Sequence, residues 1–259
     1  MSTLVKKILA SDYDGTLRRN GLVDPLDLQA IATFRAQGNL FGIVTGRAYD
    51  MIAMELEHYG VKTDFLICNN GSVVFDSQGN PIFQVNMDFQ LALDLISWLE
   101  KEPDVLFGAC DGKHYYSQMN GSYFAKMKNE LIGATVSTKD DIIKTGTITA
   151  FFTRKFTDEL TDHMVKRLEI DFDHRLGLHP NGGTIDIGPQ GVTKSSAIQA
   201  LQKRYPQALI ITVGDHLNDI DMVRDFQGYA MEDGHEALKK VASRTVRNLA
   251  EAISLLYQR

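Results

Sequence analysis

Asp12 and Asp14 stand two positions apart at the end of the apolar run "ILAS", and Gly15 and Thr16 follow at once. Residues two apart on an extended segment point to the same side, so two carboxylates meet on one face and repel. That pairing calls for positive charge. Three further segments carry polar groups of a matching kind: "IVTGR" with Thr45 and Arg47, "GVTKSS" with Lys194, and "VGDHLNDID" with Asp215, Asn218 and Asp219. A divalent cation, most naturally Mg2+ because the candidate ligands are all hard oxygens, offsets the repulsion among Asp12, Asp14 and Asp215. Lys194 adds a second positive charge. Together these groups make a site that attracts a phosphate dianion and stabilises charge on its oxygens during transfer.

Such a site needs elements that bring distant residues to one edge. "KKILAS" reads as a strand, "DPLDLQAIATFRAQG" as a helix with Asp24 as N-cap, Pro25 in its first turn and Gly38 as terminator, and "NLFGIVT" as a buried strand. A second helix, "AYDMIAMELEHYG", and a third strand, "DFLIC", follow. This βαβα order predicts an α/β fold, a doubly wound, Rossmann-like parallel sheet with helices on both faces. Ligands bind such sheets at the carboxyl ends of the strands, where Asp12, Thr45 and Asp215 would fall.

The pattern changes after "SVVFDSQGNPIFQV", a predicted hairpin. Helical "DFQLALDLISWLE", "YFAKMKNELIG" and "DELTDHMVKRLEI" then mix with strand-like "VLFGACDGKHYY", "TITAFF" and "LGLHPNGGTIDIG". After Gly188 the βα alternation returns with "KSSAIQALQKRY", "ALIITVG" and "NDIDMVRDF", and amphipathic "GHEALKKVA" and "NLAEAISLLYQR" close the chain. The expected organisation is a core of residues 1–84 and 188–259, with residues 85–187 inserted as an α+β module.

With 259 residues, 44% of them hydrophobic, the chain can bury a sizeable core, and a net charge of -6 offers no broad electropositive surface for a nucleic-acid backbone. No nucleic-acid or membrane partner is expected, and no obligate protein partner is evident. The N-terminal apolar stretch is too short for a secretory signal, which makes the cytoplasm the expected compartment. Cys68 and Cys110 lack a CxxC spacing and read as reduced, packed residues.

"DYDGT", "VTGR", "GVTK" and "GDHLND", in this order, resemble the four signature motifs of the haloacid dehalogenase (HAD) superfamily. The insert between the second and third motifs, with "ICNNG" after the third strand, is similar to the Cof-type phosphatase branch with its type IIB cap. The resemblance implies a nucleophilic role for Asp12 and an acid–base role for Asp14, with Thr45 and Lys194 on the phosphate. It also implies Mg2+ held by Asp12, Asp215 and the backbone carbonyl of Asp14, with Asp219 behind them orienting water or Lys194. Arg47, Asn70 with Gly71 beside it, and Asn218 lie where the family approaches substrate. "AMEDGHEALKK" and "RNLAEAI" depart from the branch's usual wording, as does Tyr13 between the two aspartates.

Each motif alone has a plainer reading. "DG" is a common turn pair, Asp215 and Asp219 are ordinary helix caps, and Lys194 is a solvated lysine in a first helical turn. Thr45 is a β-branched strand residue, Arg47 an exposed residue at a helix start, and "NNG" a turn. His216 reads as a surface-loop histidine and Trp98 as a packing residue. "KHYY" and "HRLGLHPNGG" either bring stacking and hydrogen bonds from the cap to a polar substrate such as a sugar, or are plain hairpins. The motifs taken together favour a Mg2+-dependent phosphomonoester hydrolase acting on a small phosphorylated metabolite, sugar phosphates being one such class. A phosphomutase and a metal- and phosphate-binding regulator without turnover remain alternatives. A receiver domain would place its lysine after all the acids, whereas Asp215 and Asp219 follow Lys194.

Overall fold

The computed structural model describes residues 5–103, 105–118, 134–136, 138–154, 158–181 and 183–258. The first strand, β1 (Lys7–Ser11), leads through a small hairpin, β2 (Arg18–Arg19) with β3 (Leu22–Val23), into α1 (Pro25–Ala36). The Asp24 carboxylate caps α1 by accepting from the Leu26 N–H at 2.8 Å. There follow β4 (Leu40–Val44), α2 (Tyr49–Tyr59), β5 (Phe65–Cys68), β6 (Val73–Asp76) and β7 (Pro81–Gln84).

The chain then builds a second unit from α3 (Phe89–Leu99), β8 (Leu106–Cys110), β9 (Tyr115–Gln118), β10 (Ala134–Val136) and α4 (Lys139–Lys144). It is completed by β11 (Ala150–Arg154), α5 (Asp158–Asp171), β12 (Leu176–Asn181) and β13 (Thr184–Pro189). The helix predicted over 123–133 lies outside the described residues. The chain returns to the first unit with α6 (Lys194–Gln202), β14 (Leu209–Gly214), α7 (Ile220–Asp225) and β15 (Tyr229–Met231). It closes with α8 (Glu236–Lys239), β16 (Arg244–Val246) and α9 (Leu249–Leu256).

Eight strands form the main sheet in the order β16-β15-β14-β1-β4-β5-β6-β7. Neighbours from β16 to β5 run parallel, while β6 and β7 extend the edge antiparallel, because the turn between them is too short for a crossover. Alternation on β1 shows why both faces are covered. Leu9 joins Ile31 and Phe34 of α1, Ile52 of α2 and Leu256 of α9 on one side. Ile8 and Ala10 meet Ile198 and Leu201 of α6 and Met222 of α7 on the other.

The second sheet runs β10-β9-β8-β11-β13-β12. One face buries Phe107, Phe151, Ile185 and Ile187 against Leu95 of α3 and Leu168 of α5. Trp98 packs there edge-on to Phe172, with its Nε1–H donating to Asp171. The opposite face carries Phe152, Arg154, Asn181, Thr184 and Asp186 and roofs the carboxyl edge of the main sheet. Among the described residues no helix is long and apolar enough to cross a membrane.

Candidate active site

Parallel pairing decides which residues meet. Ser11 is in register with Val213, and the Asp12 N–H donates to the Val213 carbonyl at 2.8 Å, so Asp12 and Asp215 leave adjacent strands side by side. Thr45 leaves β4 at the same edge, its N–H donating to Ile67 of β5. Lys194 arrives from a helix. The Thr193 hydroxyl accepts from the Ser196 N–H while the Ser196 hydroxyl accepts from the Thr193 N–H, a reciprocal cap that fixes where α6 begins.

A lysine in a helix's first turn opposes the helix dipole, and this one is only 1% exposed. Two carboxylates offset both costs: Lys194 Nζ lies 2.6 Å from Asp12 Oδ1 and 2.6 Å from Asp219 Oδ1. Burial alone would lower the lysine's pKa, but these two anions hold it above the ordinary value, so the ammonium persists. The other Asp219 oxygen accepts from the N–H groups of Asp215 and His216 at 3.0 and 3.1 Å. Asp219 is thereby committed to shaping the loop and holding Lys194.

Asp215 receives a hydrogen bond from the Thr16 hydroxyl at 2.9 Å. Gly15 passes beside it with φ +86°, and a Cβ there would lie 2.2 Å from Asp215 Oδ2. One carboxylate oxygen from each of Asp12, Asp215 and Asp219 falls within 4.8 Å of the others. Crowding shows in their acidity. Burial pushes Asp12 well above the usual carboxylate range and, despite Lys194, repulsion from Asp219 and Asp215 adds to the rise. Burial and Asp219 push Asp215 up to about 6.

Asp14 faces a different partner. Arg47 grips it through two 2.7 Å hydrogen bonds, from Nε and Nη2, and Arg18 approaches it at 3.6 Å. Behind these arginines sits Glu55 of α2, 3.5 Å from Arg47 and 3.3 Å from Arg18, accepting from the buried Tyr13 hydroxyl at 2.9 Å. Tyr13, the departure within the first motif, therefore anchors the arginine pair.

Thr45 is buried, and its hydroxyl oxygen accepts from the Arg47 N–H at 3.1 Å. Asn70 (φ +49°) donates from its side chain to Asp186 at 2.7 Å and accepts from Asn218 at 3.1 Å. Gly71 faces the Thr193 carbonyl, away from the cavity wall, and joins the two motifs by close approach.

Asp12, Asp14, Thr45, Arg47, Asp215 and Asn218 line one cavity of about 410 Å³ between the two sheets. The second unit roofs it. The junction has an apolar part, where Ala48 and Met51 meet Cys110, Tyr115 and Phe152. Of the predicted cap segments, "KHYY" contributes Tyr115, whereas His114 and the Tyr116 hydroxyl are engaged by Asp111. "HRLGLHPNGG" contributes Asn181, and His216 also reaches the wall. Both cysteines are free and buried, and burial pushes their thiols up.

Sequence reasoning passed over Thr16, Glu55, Phe152, Arg154, Thr184 and Asp186. A signal existed for the last two: Thr184 and Asp186 alternate with Ile185 and Ile187, the mark of a strand with one apolar and one polar face.

A parallel sheet whose carboxyl edge gathers an acid cluster and a buried lysine under an inserted roof defines a capped α/β enzyme. The chain belongs to the haloacid dehalogenase-like hydrolase family, whose sequence profile matches residues 9–253. It is 25% identical over 242 residues to a 5-amino-6-(5-phospho-D-ribitylamino)uracil phosphatase of Escherichia coli, covering 91% of this chain and 89% of that protein. A phosphatase of Bacillus subtilis is 24% identical over 266 residues, covering 91% of this chain and 93% of the relative. Among solved structures, a haloacid dehalogenase-like hydrolase from Bacillus subtilis superposes with a TM-score of 0.85 at 22% identity, covering 96% of this chain and 99% of that one. A HAD subclass IIB sugar phosphatase gives 0.82 at 19%, covering 97% and 99%. The protein is a hydrolase of this family, and the curated relatives it matches include phosphatases.

Proposed function

We propose that the enzyme is a Mg2+-dependent phosphomonoester hydrolase for small phosphorylated metabolites, sugar phosphates among them, working through an aspartyl-phosphate on Asp12. The observation that carries this reading is the 2.6 Å pairing of the buried Lys194 with Asp12, which lines the floor of a roofed cavity. A carboxylate so held presents one oxygen to the ammonium and keeps the other for attack.

The donor set fits Mg2+. Hard oxygens of Asp12 and Asp215 converge beside Gly15, whose missing Cβ lets the Asp215 carboxylate come close, and three carboxylates face one ammonium. Asp12, Asp215 and the Asp14 carbonyl would hold the ion, and it would supply positive charge where phosphate oxygens and the acid cluster meet.

In the first half, Asp12 attacks phosphorus, the bond to the ester oxygen breaks, and Asp14 delivers a proton to the departing alcohol. In the second half, Asp14 takes a proton from water as that water attacks phosphorus, and the bond to Asp12 breaks, releasing phosphate. Thr45 and Lys194 steady the phosphoryl oxygens. Arg47 now spends two hydrogen bonds on Asp14; phosphate oxygens entering the cavity give it another anion and leave Asp14 able to turn toward the leaving group.

The roof encloses roughly the space of a small metabolite, which favours small esters over phosphoproteins. The Escherichia coli relative is named for a ribityl phosphate, which supports including polyol phosphates. The test is a panel of phosphorylated metabolites with Mg2+, scored for free phosphate and for sugar isomers. Phosphate release supports the reading; isomers without release point to a mutase, and silence across the panel points to a binding protein.

A further inference from the structure

Asp186 belongs to the cap, yet it is seated by the core. Its Oδ2 accepts from Asn70 Nδ2 at 2.7 Å, and Asn70 is itself held by Asn218 at 3.1 Å and by its own N–H on the Thr45 carbonyl at 3.0 Å. Gly46 makes room, since a Cβ there would fall 2.3 Å from the same Asp186 oxygen. The other oxygen, Oδ1, is paired with no group among the described residues, and Asp186 lines the cavity. Among the described residues that line it, Asp186 is the one acid contributed by the cap; Asp12, Asp14 and Asp215 come from the core.

Its surroundings define what that oxygen can meet. Its cross-strand partners are Phe152 on β11 and His179 on β12, and Thr184 and Asn181 pair one step along the same face, with Arg154 opposite Thr184. The roof is thus split into an apolar strip, Phe152 with Tyr115 and Cys110, and a polar strip mixing hydrogen-bond donors and acceptors. Burial pushes the Asp186 carboxyl up to about 7 against the Asn70 hydrogen bond and the Lys194 charge, so near neutrality it both accepts and donates. Hydroxyl groups, which do the same, are its natural partners. An ammonium would lie in a cavity that already holds Arg154 and Arg47.

We propose that Asp186 is the cap residue that selects the leaving group, its Oδ1 binding a hydroxyl of the alcohol portion while Asn70 fixes its Oδ2. This rests on the phosphatase reading above and names the residue that reads the ester. A buried polar group built to meet a substrate hydroxyl discriminates strongly against an ester that lacks one, because the group is then left unpaired.

The experiment compares wild type, Asp186→Ala and Asp186→Asn on ribitol 5-phosphate, glucose 6-phosphate and p-nitrophenyl phosphate, whose leaving group has no further hydroxyl. The expected result is that Asp186→Ala loses at least about tenfold more kcat/KM on the better hydroxylated ester than on p-nitrophenyl phosphate. Asp186→Asn, which keeps the shape and an oxygen for Asn70, should fall between, and its thermal unfolding shows that the fold is retained. Equal losses on both kinds of ester would assign Asp186 to holding the cap closed and overturn the proposal, as would no loss on either. A wild type that cleaves p-nitrophenyl phosphate but neither hydroxylated ester overturns the proposal alone; a wild type that cleaves none of the three removes the phosphatase reading with it.

Discussion

Lys194 Nζ lies 2.6 Å from Asp12 Oδ1, although 182 positions separate the two residues in the chain. The distance is set by one strand end and one helix cap, and the buried ammonium is balanced there by Asp12 and Asp219 together.

Removing that ammonium should cost both activity and stability. Lys194→Met leaves two buried carboxylates facing each other, and breaking such a pair destabilises by about 3–5 kcal/mol. Turnover should fall by about a hundredfold or more, the loss expected when one positive contact to a developing anion is removed. Urea unfolding and phosphate release check the two parts separately. Unchanged stability would show that the carboxylates do not depend on the lysine.

Asp14→Asn separates proton transfer from attack. The amide cannot protonate the departing oxygen, so turnover of an alkyl phosphate should fall by about 10²–10⁴-fold. An ester with a good leaving group, such as p-nitrophenyl phosphate, needs little protonation in the first half and should lose less in a single-turnover burst. Equal losses in the burst would count against an acid role for Asp14.

The elements that hold these residues were legible to different degrees. Buried runs such as "ILAS", "LFGIV" and "LIITVG" lie at the centre of the sheet, where both faces are apolar, and the run of hydrophobic residues alone marks them. Tyr229–Met231 and Arg244–Val246 were not legible, because three residues carry no periodicity. The motif residues were readable as a set since topology sends strand ends to one edge. The alternation around Asp186 marks a polar face on β13, but that this face looks at the core depends on where α3 and α5 pack, a tertiary fact.

Metal dependence has its own signature. Chelation of divalent cations should stop phosphate release, and Mg2+ should restore it. Asp215→Asn removes one charge from the cluster and should raise the Mg2+ concentration for half-maximal activity by about tenfold or more. Mg2+ should also raise the thermal midpoint of the wild type, by about 2.7 kcal/mol of stability at a hundred times its dissociation constant, and do so less in the variant. Full activity in excess chelator would remove the metal from the reading.

His179 supplies a pH test of cap against core. It stands on β12, where burial and then the Lys194 charge lower its pKa to about 4, against a backbone hydrogen bond with Val192 and the charge of Asp221. The folded value lies below the ordinary 6.5, so the unfolded chain binds the extra proton first as pH falls. The contribution is therefore complete above about pH 6.5, declines through the window down to about pH 4, and is gone below it. A difference of this size is worth at most about 3 kcal/mol. Urea unfolding of wild type and His179→Gln at several pH values across that window isolates it, since the carboxylates titrate in both proteins. Wild-type stability should drop more steeply than the variant's between about pH 6.5 and pH 4; parallel curves would mean that the imidazole is charged as readily in the folded protein as in the unfolded chain.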